Sequence, residues 1–229
     1  CAVFAGLHLL VCLPLYRLAL PAPRRNAVSG PRVATALPRQ GAAFWWLATA
    51  FAMVSLASSV LAAHLVALLG AAGIDESDAI LVGTLFGPTQ VVARILEYGL
   101  APRVRAVSVG TVSFLLMALA LGLLNGIDGN RVQAFLFAAC FGASNGILTI
   151  VRGTVPAELF GRDHYGALLG RLALPSFFAK ACAPFAFTLL LAAGASHDFA
   201  TWALAAVGVM ALVSYEVARR CGRRPRREV

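Results

Sequence analysis

The stretch AFWWLATAFAMVSLASSVLAAHLVALLG, residues 43–70, decides the fold class of this chain. It contains no Asp, Glu, Lys or Arg, and it exceeds the roughly 20 apolar residues that an α-helix needs to cross a hydrocarbon core. Similar apolar runs follow at about 79–101, 106–124, 132–152, 172–194 and 199–218, and residues 1–20 resemble the end of another span. The sequence therefore predicts six complete transmembrane helices, preceded by a partial one.

The composition agrees with a chain that lies in lipid. Hydrophobic residues make up 60% of the 229 residues, charged residues only 13%, and the mean hydropathy is +0.81, whereas about 25% of the residues in ordinary soluble domains are charged. The apolar runs lack the period-two alternation of barrel strands, and their helix-forming residues favour helices. We therefore predict an all-α polytopic membrane helix bundle with the lipid bilayer as a partner.

Positive charges are concentrated in alternate connectors. Sixteen of the nineteen Lys and Arg residues fall in one set, namely Arg17, Arg24, Arg25, Arg32, Arg39, Arg103, Arg105, Arg152, Arg162, Arg171, Arg219, Arg220, Arg223, Arg224, Arg226 and Arg227. The other set holds five acids and one cation, namely Asp75, Glu76, Asp78, Asp128, Asp198 and Arg131. Because cytoplasmic loops retain the excess of Lys and Arg, we expect the loop 21–42 and the tail 219–229 to be cytoplasmic, at a plasma or inner membrane.

This distribution excludes several classes of function. The net charge of +9 is explained by loop topology rather than by one basic patch, so no nucleic-acid partner is predicted. The five cysteines are widely spaced, without a CxxC or Cys/His cluster, so neither a metal centre nor a disulfide framework is indicated. No P-loop occurs and no cofactor is expected, so an ion gradient or the solute's own gradient would have to drive any transport.

Two segments between the spans indicate a family. Residues 152–162, RGTVPAELFGR, are followed by Tyr165 and Gly166, and residues 98–105 read YGLAPRVR. Together with the six spans, they resemble the C-terminal half of a major facilitator superfamily (MFS) transporter, in which the first segment is the loop between helices 10 and 11. The second segment is similar to the family's G-x-x-x-D-R-x-G-R-R motif between helices 8 and 9, but it has Pro102 where the acid would stand.

The resemblance implies an organisation for the whole chain. Residues 1–20 would be the end of helix 6, 21–42 the cytoplasmic basic central loop, 43–218 the six-helix bundle and 219–229 the cytoplasmic tail. In that family two six-helix halves rock about a site near the bilayer midplane, so the missing N-terminal half of the same polypeptide is an implied partner. The residues implied to carry the cytoplasmic motifs are Arg103, Arg105, Arg152, Glu158 and Arg162.

Lys180 is the clearest candidate for a functional residue. It is the only lysine of the chain and lies about eight residues into the span 172–194. A charged side chain at the bilayer centre costs at least about 2.5 kcal/mol, so it usually marks a functional site. Ser176, Pro184 and Thr188 recur on the same face at four-residue spacing. We therefore predict that this face lines the pathway of a small-molecule substrate.

The span 79–101 carries a second set of candidates. Gly83, Gly87, Gln90, Arg94 and Glu97 recur at spacings of 4, 3, 4 and 3, which places them on one side of a helix. Gln90 and Arg94 are predicted to face the substrate. Two roles remain open for Glu97, because it could carry a coupling proton or form an ion pair with Arg94 one turn away.

Asn145 is the candidate in the span 132–152. It lies close to the predicted midplane and shares helical spacing with Gly142, Thr149 and Arg152. Gly142 and Gly146 are better explained by close helix packing, because small residues let two helix backbones approach each other in a membrane.

One enzyme-like pattern has to be weighed. Residues 142–146 match G-x-S-x-G, which in hydrolases places the serine on a strand-to-helix turn, but Ser144 lies within a continuous apolar run and His64 is the only histidine in another complete span. A rhomboid-like intramembrane serine hydrolase and a noncatalytic membrane subunit remain alternatives. The favoured prediction is a secondary active transporter of a small solute rather than an enzyme. Two intramembrane cations against one acid favour an anionic or carboxylate-bearing solute.

Overall fold

The computed structural model describes residues 6, 8–12, 14–15, 19, 41–101, 103–162 and 164–222. The chain divides into two units, residues 1–38 and residues 39–229. In the first unit a five-residue π-helical segment occupies His8–Cys12. Most of the predicted partial span 1–20 and of the basic loop 21–42, and the part of the tail beyond residue 222, lie outside the described residues.

The second unit contains six long α-helices in its described part. They are α1 (Ala42–Ala71), α2 (Glu76–Leu100), α3 (Ala106–Leu123), α4 (Arg131–Phe160), α5 (Tyr165–Ala192) and α6 (His197–Gly222). All six are long and apolar enough to cross a membrane, and no strand occurs among the residues that the structure describes. The predicted all-α bundle with six complete spans is confirmed, and the chain is an integral membrane protein.

The connector between α4 and α5 is much shorter than the sequence predicts. The predicted span ends at residue 152, but α4 continues to Phe160, and α5 begins at Tyr165 rather than at 172. Gly161 ends α4 in a left-handed conformation with φ of 84°, which glycine adopts without strain. Arg152 and Glu158, predicted as loop residues, therefore lie on α4, because hydropathy marks where a helix leaves the apolar layer and not where its hydrogen bonds end.

Two connectors pack together at one end of the bundle. The Gly129 N–H donates to the carbonyl oxygen of Ala72 at 2.7 Å, which joins the α3–α4 connector to the α1–α2 connector. At the same end, Arg131 at the start of α4 forms an ion pair of 2.6 Å with Asp78 in the first turn of α2. This is the end that the sequence predicts to be non-cytoplasmic.

The helices pair in a pattern with an internal two-fold repeat. The α1 helix packs along α5 and α6, α4 packs along α2 and α3, and α3 packs along α6. If α1, α2 and α3 are exchanged with α4, α5 and α6 in that order, the same pairs of helices result. Within the most apolar 18-residue stretch of each helix, 50% of the residues are buried in α1 and in α4, whereas 17% are buried in α2 and in α5. Because each repeat has three helices, equivalent helices cross the membrane in opposite directions.

Close packing of α2 on α4 depends on two glycines of α4. A Cβ atom added at Gly142 would collide with the Thr89 hydroxyl, and one added at Gly146 would lie 2.5 Å from the carbonyl oxygen of Gln90. Both positions therefore need glycine, and the predicted packing role of Gly142 and Gly146 is confirmed.

Candidate functional site

Polar side chains of α1 and α4, the two central helices, contact each other. Their backbones make little contact with each other, and two side-chain hydrogen bonds join them. The Ser58 hydroxyl donates to Asn145 Oδ1 at 3.1 Å, and Arg152 Nη2 donates to Ser55 Oγ at 2.9 Å. We call this feature, defined by Ser55, Ser58, Asn145 and Arg152, the α1–α4 groove.

The groove lies at the depth predicted for a functional site. Ser55 and Ser58 are close to the middle of α1, and Asn145 is at the middle of α4. Asn145 is half-buried, and its Nδ2 donates to the Phe141 carbonyl oxygen of its own helix at 3.4 Å. Asn145, a residue singled out from the sequence, thus stands between the two central helices.

Arg94 of α2 reaches α4 one residue beyond Asn145. Its Nε donates to the Gly146 carbonyl oxygen at 3.3 Å, and the Thr149 hydroxyl donates to the same oxygen at 2.7 Å. This approach is possible because Gly146 has no side chain to separate the helices. The Gln90 backbone packs against Gly146, and no hydrogen bond of the Gln90 side chain occurs in the described part of the chain.

Glu97 is not paired with Arg94. No ion pair within 4.0 Å joins them, so the self-contained pair that the sequence allows is absent. Instead, Glu97 lines a cavity of about 360 Å³ between α2, α3 and α4, with apolar neighbours that include Leu100, Val104 and Ile147. The carboxylate is therefore set apart from the α1–α4 groove.

Lys180 lies close to the middle of α5, which packs along α1. Its carbonyl oxygen accepts a hydrogen bond of 2.7 Å from the Ser59 hydroxyl of α1, while its side chain is exposed. Within the described ranges, the ammonium group has neither a hydrogen bond nor a carboxylate within 4.0 Å. Lys180 therefore carries an uncompensated charge on a helix that packs beside α1.

Further along α1, His64 joins the same pair of helices. Its Nε2 lies 3.3 Å from the Pro184 carbonyl oxygen and 3.4 Å from the Thr188 hydroxyl. The polar face predicted around Lys180 is thus partly used for packing α5 on α1.

Arg152 is the functional candidate that sequence reasoning placed wrongly. As well as bonding Ser55, its guanidinium carbon lies 6.0 Å from the centre of the Phe51 ring, and it lines a cavity that also includes Ser176 of α5. The sequence indicates that Arg152 shares a helix face with Asn145, because Asn145, Thr149 and Arg152 follow helical spacing. The prediction that the span ends at residue 152 nevertheless assigned Arg152 to a loop.

No protein-family model, curated protein or solved structure matches this chain significantly. Its function is therefore inferred from the groove and the fold.

Two of the other residues predicted to carry cytoplasmic motifs, Arg105 and Glu158, form a contact between helices. Glu158 of α4 forms an ion pair of 2.7 Å with Arg105, and its other oxygen accepts the Val107 N–H at the start of α3 at 3.1 Å. An acid at this position also interacts favourably with the positive end of the α3 dipole. Arg103 and Arg162 are exposed, and neither forms an ion pair among the residues described.

Ser144 has contacts that favour a packing role. It is fully buried, and its hydroxyl donates to the Ser113 carbonyl oxygen at 2.8 Å, while the Ser113 hydroxyl donates to the Ser144 carbonyl oxygen at 3.0 Å. This reciprocal pair joins α3 to α4. His64, the histidine that a hydrolase would need, bonds to α5 instead.

Proposed function

We propose that this chain is the C-terminal half of an MFS-like secondary transporter, which moves a small organic anion across a plasma or inner membrane by alternating access. The α1–α4 groove carries the proposal. It lies near the middle of the two central helices, and its polar side chains interrupt helices that are otherwise apolar. A polar groove at this depth is where a solute site is expected in a transporter.

The repeat of three helices supports this family. MFS halves are built from two three-helix repeats of inverted topology, and the pairing of α1 to α3 with α4 to α6 has that form. In this arrangement the groove lies between the first helices of the two repeats, α1 and α4. The missing half of the polypeptide would supply the opposite wall of the pathway.

The charges beside the groove support an anionic solute. Arg94, Arg152 and Lys180 lie on the helices that form or border it, and no carboxylate is within 4.0 Å of any of them in the described part of the chain. Uncompensated cations in a low-dielectric region attract a counter-charge. A carboxylate-bearing solute would supply that charge during transport.

Counterflow in proteoliposomes tests the proposal. The full-length protein is reconstituted, loaded with an unlabelled organic anion, and supplied outside with the same anion in radiolabelled form. We expect saturable accumulation of at least one carboxylate, with neutral alcohols of the same shape excluded. Vesicles without protein are the control. If no carboxylate, neutral solute or cation shows saturable counterflow, the transporter proposal fails and a noncatalytic subunit is favoured; flux of neutral solutes alone would contradict only the choice of an anion.

A further inference from the structure

The cavity beside Arg152 is an unusual combination of one cation and apolar walls. It has a volume of about 270 Å³ and lies between α1, α4 and α5. Its walls include Phe51, Leu172 and Phe177, and the only polar side chains among its lining residues are Arg152 and Ser176. A cavity of this kind offers one anchoring point for a charged group and an apolar space for the rest of a ligand.

Arg152 has hydrogen-bonding capacity to spare. The guanidinium group has five N–H donors, and the hydrogen bond to Ser55 uses Nη2. The Phe51 ring supports the cation from one side, but the described residues place no carboxylate within 4.0 Å. The remaining donors can therefore bind an anion.

Arg152 stands at the edge of the apolar layer. It ends the apolar run 132–152, which is about as long as the hydrocarbon core is thick, and its side chain is exposed. Its neighbours Ser55 and Phe51 are neutral, so neither of them compensates the charge.

We propose that the Arg152 cavity binds the carboxylate of an organic monoanion whose remaining part is aromatic or otherwise apolar. The carboxylate accepts two parallel hydrogen bonds from the guanidinium group, a geometry that arginine favours. The apolar part of the ligand occupies the space beside Leu172 and Phe177. This proposal rests on the proposed transport function and specifies its class of substrate.

The apolar walls exclude two other classes of solute. A second carboxylate on the ligand would lie against Leu172 and Phe177, where the lining residues offer no second cation to pair with it. A sugar would lose many hydrogen bonds to water and find only the donors of Arg152 and the Ser176 hydroxyl in return. The cavity therefore favours a ligand that has one negative charge and is otherwise apolar.

Equilibrium binding of radiolabelled benzoate to the full-length protein in detergent tests the site. We expect saturable binding by the wild type and a loss of affinity of at least about tenfold in Arg152→Gln, the effect of removing a charge-assisted hydrogen bond. Arg220→Gln, at the end of α6, is the matched control and should bind like the wild type. Benzyl alcohol and phthalate, the neutral and doubly charged analogues, should compete poorly.

A second variant keeps the test decisive if Arg152→Gln does not fold. Ala173→Trp narrows the cavity from a half-buried lining position and leaves the arginine in place, so it should also abolish benzoate binding. Absence of benzoate binding by the wild type, or wild-type affinity in the folded cavity variants, overturns the proposal. Effective competition by benzyl alcohol would overturn recognition of the carboxylate.

The two proposals can fail separately. Counterflow of a carboxylate that is unaffected by Arg152→Gln and Ala173→Trp would overturn the Arg152 site and leave transport intact. Benzoate binding that depends on Arg152, without counterflow of any solute, would support the site and contradict transport.

Discussion

A single proline explains how Lys180 is held beside α1. Proline has no N–H, so inside a helix it leaves the carbonyl four residues earlier without its usual donor. Pro184 does this to the Lys180 carbonyl, and the Ser59 hydroxyl of α1 donates to that oxygen at 2.7 Å instead. The exposed carbonyl thus becomes a contact between two helices. It fixes the α5 backbone at the residue whose charge we assign to the substrate pathway.

Replacing Lys180 with Gln should weaken anion transport. The variant removes a cation whose ammonium group has no partner among the described residues, while Gln preserves much of the side-chain length. We expect KM for the transported carboxylate to rise by about tenfold or more, in line with the loss of one charge-assisted interaction. Initial rates of uptake over a range of concentrations measure this change. Lys180→Arg keeps the charge and should stay within a few fold of the wild type, and unchanged KM and kcat in Lys180→Gln would contradict the assigned role.

Replacing Gly146 with Ala should destabilise the bundle. The new Cβ would lie 2.5 Å from the Gln90 carbonyl oxygen and 2.9 Å from its Cα, so the α2 backbone itself must move. Overpacking of this kind costs about 1–3 kcal/mol. The free energy of unfolding in a denaturing-detergent titration measures the loss.

Gly170→Ala is the matched control for that substitution. Gly170 lies inside α5, and a Cβ added there would meet nothing within 4 Å. Because alanine favours helix more than glycine does, this variant should be neutral or slightly more stable. Equal stability of the two variants would contradict the packing role of Gly146.

The sequence predicts which helices exist better than it predicts the residues at which they begin and end. Apolar runs identified all six spans, because every helix that crosses the hydrocarbon core needs about the same number of apolar residues. The predicted end of α4 and start of α5 were wrong, because they were placed where the apolar runs end or begin, whereas α4 continues through Gly153 and Pro156. Gln90, Arg94, Asn145 and Lys180 could be selected as rare polar groups within apolar runs. Which of them would meet another helix could not be predicted, since that depends on packing between distant segments.

Glu158 should contribute more to the stability of the bundle than its ion-pair partner Arg105 does. Arg105 is 66% exposed, so its ion pair contributes only about 0–1 kcal/mol. The bond from Glu158 to the Val107 N–H resembles a helix N-cap, whose removal costs about 0.5–2 kcal/mol. Glu158→Ala should therefore lower the free energy of unfolding more than Arg105→Ala, in the same denaturing-detergent titration. An equal or smaller loss in Glu158→Ala would show that the contact with α3 contributes little.

The whole molecule has a symmetry that the sequence did not predict. The α1–α5 contact corresponds to the α4–α2 contact, and the α1–α6 contact corresponds to the α4–α3 contact. Their residues do not repeat in an obvious way along the chain, because lipid-facing positions accept any apolar side chain. The symmetry makes α1 and α4 equivalent helices of opposite direction, which supports the alternating access that we propose.

Orientation in the membrane can be tested with the protein's own cysteines. Cys221 is exposed near the end of α6, and the positive charge of its neighbours predicts that it is cytoplasmic. Asp128, in the connector that packs at the opposite end of the bundle, is predicted to lie outside. In a background without other cysteines, an impermeant maleimide added to intact cells should label Asp128→Cys and should reach Cys221 only after permeabilisation. Six helices place the start of α1 and the end of α6 on the same side, so labelling of Cys221 in intact cells would invert the whole assignment.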